Sequence, residues 1–173
     1  HLWDTRMRRM EQRVAQMLVD ALEEKNGEAK GKIIALDTIA GSSTDNNQKK
    51  GQDSVFSQYP DIEIIERQYT DFEASKAKTF MEDCLSKYGE GEIDGIISQD
   101  GAVTLAAVDA IEEAGRMEEG ILIVNADGIN GIAKMVKEGT CVGFTQFRVR
   151  QAWTHYIWQL IQSKEMIQKK RIL

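Results

Sequence analysis

Apolar, β-branched runs alternate with segments of helical periodicity along the whole chain. Met10, Val14, Leu18, Ala21 and Leu22 recur at three- and four-residue intervals, which predicts a helix over 4–26 stopped by Asn26-Gly27. Five runs read as buried strands, at 32–38, 62–69, 95–98, 121–124 and 141–146. Between them lie a helix over 46–58, the stripe Ala74, Ala77, Phe80, Met81, Cys84, Leu85 and Tyr88, a third helix marked by Leu105, Val108 and Ile111, and a short one marked by Ile132, Met135 and Val136. Trp153, Ile157, Leu160 and Ile161 predict a last helix. The chain's one proline, in Tyr59-Pro60-Asp61, marks the turn before the second strand. Crossovers of this length permit parallel pairing and are right-handed, so the expected fold is a doubly wound three-layer α/β/α sandwich with a five-stranded parallel sheet in the order 2-1-3-4-5.

The residues closing the five runs are polar, small or acidic: Ala40-Gly41-Ser42-Ser43-Thr44-Asp45-Asn46, Thr70-Asp71-Phe72, Ser98-Gln99-Asp100-Gly101, Asn125-Ala126-Asp127-Gly128 and Thr145-Gln146-Phe147. A parallel sheet puts all strand carboxyl ends on one edge, the edge where such folds bind ligands. Carboxylates and carboxamides there pair with vicinal hydroxyls, and Phe72 offers a flat apolar face for the C–H side of a sugar ring. The competing reading is that Asp100-Gly101 and Asp127-Gly128 cap the helices that follow them. Five polar strand ends together favour a binding wall.

Composition narrows the classes further. The chain has 173 residues, 42 % apolar and 29 % charged, enough for one sizeable core. No segment approaches the roughly 20 consecutive apolar residues of a membrane span. The net charge of −6 argues against nucleic acid as a partner. Arg6, Arg8, Arg9 and Arg13, and Lys169, Lys170 and Arg171, read as solvated helix faces. Cys84 and Cys141 read as small buried residues, and His1 and His155 stand far apart, so no metal and no cofactor are expected. With no Cys/His or Ser/His constellation, no enzymatic activity is expected either.

From about Lys32 to Gln146 the chain resembles the ligand-binding lobe of type I periplasmic binding proteins, the ribose-binding-protein-like solute receptors of ABC importers. The match is carried by Ile39-Ala40-Gly41-Ser42-Ser43, Tyr59-Pro60, Tyr69-Thr70-Asp71-Phe72 with Ala77, Ser98-Gln99-Asp100-Gly101, Ala110-Ile111 to Gly115, Asp127-Gly128, and Gly139 followed by Gln146. The resemblance implies ligand contacts at Asn46 in the first loop, Phe72, Asp100, Asp127 and Gln146. Phe72 would stack on the ring, Asp127 would accept from hydroxyls, and Gln146 would sit at a hinge crossover. The arginine that sugar binders usually carry in the first loop is replaced here by Asn46, Asn47 and Gln48.

The resemblance also implies two lobes joined by crossovers, of which this chain matches the second, C-terminal one. The expectation is therefore a single lobe over 1–173, a truncated or engineered half, with a family-like core at 32–146 and atypical terminal helices at 1–26 and 149–170. Its partners would be a small sugar or polyol, the missing first lobe and, in the full-length protein, the ABC permease. The terminal helices would cover surface once buried against the first lobe, or form a homodimer patch through Tyr156 and Trp158. The parent protein would be periplasmic, or extracellular and membrane-anchored, with its signal not present in this chain. The alternatives are the effector domain of a Lac-repressor-type regulator, which looks like the same fold, and an FMN module, since the strand order is flavodoxin-like and the first loop is hydroxyl-rich. Gly101 and Gly128 stand where a flavin site needs aromatic rings. A phospho-receiver site at Asp37 and Asp100 would need a lysine after the fifth strand, where Gln146-Phe147-Arg148 stands.

Overall fold

The computed structural model describes residues 2–145. The elements run α1 (Leu2–Asn26), β1 (Gly31–Asp37), α2 (Ser43–Phe56), β2 (Ile62–Tyr69), α3 (Ala74–Lys87), β3 (Gly95–Ser98), α4 (Gly101–Glu113), a 3₁₀ turn (Met117–Glu119), β4 (Leu122–Asn125), α5 (Asn130–Glu138) and β5 (Gly143–Phe144). The five strands are all parallel in the order β2-β1-β3-β4-β5, as the run pattern predicts.

Period-two alternation divides each strand between two cores. Ile33, Ala35, Ile97 and Val124 face α1 and α2, where Val14, Leu18, Leu22, Val55 and Phe56 are buried. Ile34, Leu36, Ile96 and Ile123 face α3, α4 and α5, where Met81, Val103, Ile111 and Ile132 complete the second core. Both strand faces are covered, which explains why the runs are continuously apolar. The predicted last helix, with Trp153, Tyr156 and Trp158, and the Gln146 position lie outside the described residues.

Element boundaries differ where caps decide them. α2 begins three residues before the expected Asn46, because the Ser42 side chain accepts from the Asp45 N–H at 3.0 Å and caps the helix. β4 extends to Asn125, and β5 pairs only over Gly143–Phe144, so Cys141 precedes the strand it was expected to begin. The Arg116 side chain, unremarkable in sequence, donates to the carbonyls of Leu85, Tyr88 and Gly89 at 2.7–2.8 Å and pairs with Glu119. It thereby closes the carboxyl end of α3.

Candidate functional site

Register brings the strand ends together. Asp37 pairs with Tyr69, Leu36 with Ser98, Ser98 with Asn125 and Asn125 with Phe144, so the carboxyl ends of all five strands lie on one edge. The winding reverses between β1 and β3, the position at which open α/β sheets hold ligands.

The turn after β2 is the most strained part of this edge. Asp71 and Phe72 have φ of +52° and +62°, the left-handed region that L-residues avoid. Glu73 N–H donates to Thr70 O at 2.8 Å across the turn, Asp71 N–H donates to Thr38 O at 3.2 Å, and Thr70 Oγ1 donates to Asp37 O at 2.9 Å. These bonds tie the turn to β1 and hold the Phe72 ring outward, 51 % exposed. Ile39 and Ile129 are exposed on neighbouring loops of the same rim. Strain that the surroundings enforce while a large apolar ring faces solvent is a mark of a functional surface.

Asp100 and Asp127 meet at the amino end of α4. Asp100 is its N-cap, accepting from Val103 N–H at 2.9 Å. Asp127 does not cap α5, the helix that follows it; its carboxylate instead accepts from the backbone N–H of Gly101, the first residue of α4. Burial, and then the facing Asp100 carboxylate, push the Asp127 carboxyl above the usual aspartate range. Gly128, next in the chain, lets the Phe144 ring pack against this loop, since a Cβ there would fall about 2.0 Å from it.

Four other polar residues of the expected wall are placed differently. Asn46 lies in the first turn of α2, not in the loop, and its Nδ2 donates back to Gly41 O at 3.1 Å. Asp45 is buried and accepts from Gly41 N–H at 3.1 Å. Gln99 is buried across the β1–β3 crevice, accepting from Thr38 N–H and Oγ1–H and donating to Asp37 Oδ1 at 3.0 Å. Asn125 is buried, donating to Thr104 Oγ1 and accepting from Asp127 N–H. Asp45, Gln99 and Asn125 build the floor of the wall, while Asn46 stays exposed at the amino end of α2. Phe72, Asp100 and Asp127 remain on its surface.

Beneath that floor lies a polar layer that the apolar pattern does not reveal. Asp37, held by Arg67 and Gln99, is itself buried, and burial raises its carboxyl despite the nearby Arg67 and Lys49 charges. Arg67 reaches Gln52, and Gln52 donates to Glu11 on α1. The signal was present in α2: Asp45, Gln48 and Gln52 occupy the spacing of an apolar stripe, yet all three are buried. A hollow of about 510 Å³ lies near the start of β4, at the opposite edge of the sheet, with Glu118 and Glu138 as its charged lining. It gathers none of the strand-end groups.

Residues 11–161 match the model of the periplasmic binding protein domain. The chain belongs to this family. Among its relatives, a xylitol-binding protein of Mycolicibacterium smegmatis is 34 % identical over 128 residues, covering 74 % of this chain and 34 % of that protein. The galactofuranose-binding protein YtfQ of Escherichia coli is 30 % identical over 109 residues, 62 % of this chain and 34 % of that one. An ABC transporter periplasmic solute-binding protein from Actinobacillus succinogenes, solved with bound D-allose, superposes with a TM-score of 0.68 at 27 % identity, covering 78 % of this chain and 45 % of that chain. The chain thus spans about a third of the length of these two curated relatives.

Proposed function

We propose that this chain is the second lobe of a sugar- or polyol-binding receptor of an ABC importer, recognising its ligand by shape and hydroxyl pairing and carrying out no reaction. In this reading Phe72 stacks on the ligand's C–H face, while Asp100 and Asp127 accept from its hydroxyls. Asn46 contacts it from the amino end of α2, and Gln146 reaches it from beyond β5. The observation that carries the proposal is Phe72 held outward in a strained turn on the same sheet edge as the Asp100–Asp127 pair.

The relatives that bind xylitol and galactofuranose support a small polyhydroxylated ligand. Both aspartates suit a neutral one, since an anionic ligand would meet like charge. A companion lobe closes over the wall in the whole receptor, which acts outside the cytoplasmic membrane and delivers its ligand to a permease. One lobe leaves the ligand half enclosed, so binding by this chain alone is weak and tightens when the companion lobe is supplied. Calorimetric titration with a panel of pentoses, hexoses and their polyols, with and without the companion lobe, tests this. Binding that survives both Phe72→Ala and Asp127→Ala refutes the site.

A further inference from the structure

The contact between α1 and α2 contains a carboxyl group that the ligand wall does not use. Glu11 is 0 % exposed, and so is Gln52, whose Nε2 donates to Glu11 Oε1 at 2.6 Å. The other oxygen, Oε2, is buried with no hydrogen-bond partner. Gln48, 3 % exposed, also lies against this carboxyl, and its Oε1 likewise has no donor. Gly51 makes the contact tight, because a Cβ there would fall 2.6 Å from Arg8 O and 2.7 Å from Glu11 Cβ.

The charged groups around Glu11 do not neutralise it. From β1, Asp37 repels a carboxylate. From β2, Arg67 attracts one, but its guanidinium is already paired with Asp37 and only reaches Gln52 Oε1 at 3.4 Å. On α2, Lys49 lies beside Asp37 and Asp45. On α1 itself, the Arg8 guanidinium donates to Asn47. An ionised Glu11 would be a buried charge with one short donor, Gln52, and a second oxygen without a hydrogen bond; the Gln48 contact favours the ionised form by less than burial opposes it.

We propose that Glu11 is a neutral carboxylic acid at neutral pH, its proton bridging Oε2 to Gln48 Oε1, and that this proton clasps α1 to α2 as a built-in pH-sensitive lock. One proton satisfies both orphaned oxygens. Burial, the dominant effect on this group, lifts its pKa to about 8. The clasp is the end of a hydrogen-bonded chain, Glu11–Gln52–Arg67–Asp37–Gln99–Thr38, which ends in the floor of the ligand wall.

The test uses the full chain labelled with ¹³C at the glutamate side-chain carboxyl, which leaves the buried aspartates silent. One resonance titrating near pH 8, and absent from Glu11→Gln, is the expected result. Glu11→Gln is also more stable than the wild type at neutral pH, because its amide donates to Gln48 and its carbonyl accepts from Gln52 with no proton taken up on folding. All glutamates titrating in the ordinary carboxylate range would overturn the proposal, and this wild-type measurement decides the matter even if the variant does not fold. A folded Glu11→Gln that is markedly destabilised at neutral pH would also overturn it, since an ionised Glu11 accepting from both carboxamides would then be the native state.

Discussion

Replacing Phe72 by alanine and, separately, by glycine separates the strain in the turn from the use of the ring. Both substitutions remove the same side chain, which is 51 % exposed and therefore contributes little burial. They differ in the backbone: φ at this position is +62°, where alanine keeps the left-handed penalty of about 1–2 kcal/mol and glycine does not. Glycine's greater freedom in the unfolded chain returns roughly 0.5–1 kcal/mol of that. Phe72→Gly is thus expected to be more stable than Phe72→Ala by about 0.5–1 kcal/mol in urea unfolding. On the binding side, half of a phenylalanine's surface is about 100 Å², worth about 2.5 kcal/mol if wholly covered and about half that if a sugar covers one face. Either variant therefore weakens ligand binding about tenfold, read by calorimetry with the companion lobe present. Alanine more stable than glycine would refute the strained turn. Undiminished affinity in both variants would refute the stacking role.

Other consequences can be checked on the same chain. Arg116→Met removes three carbonyl partners and the Glu119 pair, and unfolding in urea should show a loss of about 3–5 kcal/mol, of which Arg116→Lys recovers less than half. Because the folded pKa of Glu11 lies near 8, above its unfolded value of 4.5, the proton's contribution is complete below the unfolded value and is lost as pH rises toward 8. Unfolding stability measured against pH should fall across that window with a slope of about 1.4 kcal/mol per unit, and Glu11→Gln should remove this component. Gly51→Ala pushes α1 from α2 and should cost about 1–3 kcal/mol by thermal melting, with no change in the secondary-structure signal. Asp100→Ala loses a helix cap worth about 1 kcal/mol as well as the proposed ligand contact, whereas Asp100→Asn keeps the cap and is expected to lose affinity alone; equal melting temperatures for the two would refute the capping role.

The alternating pattern was sufficient for much of the architecture. Apolar runs of four to eight residues separated by helical stripes leave few ways to bury both faces of each strand, and a parallel sheet wound on both sides is the one observed. The convergence of the strand ends follows from that topology, so Phe72, Asp100 and Asp127 were placed on one edge by sequence alone. The apolar spacing starts a helix at Asn46 and the resemblance puts Asn46 in the first loop; the hydroxyl of Ser42 starts α2 three residues sooner and carries Asn46 into its first turn.

Which strand-end side chains look outward was decided only by the tertiary structure. Gln99 and Asn125 have the same composition signal as Asp100 and Asp127, but their partners Thr38, Asp37 and Thr104 come from other strands and helices and draw them inward. The buried polar face of α2 is the same kind of fact. Its carboxamides find their partners only when Glu11 from α1 and Arg67 from β2 are brought against them. Period and local caps are properties of neighbouring residues and can be read along the chain. A hydrogen bond between residues dozens of positions apart exists only once packing has excluded the water that would otherwise satisfy both.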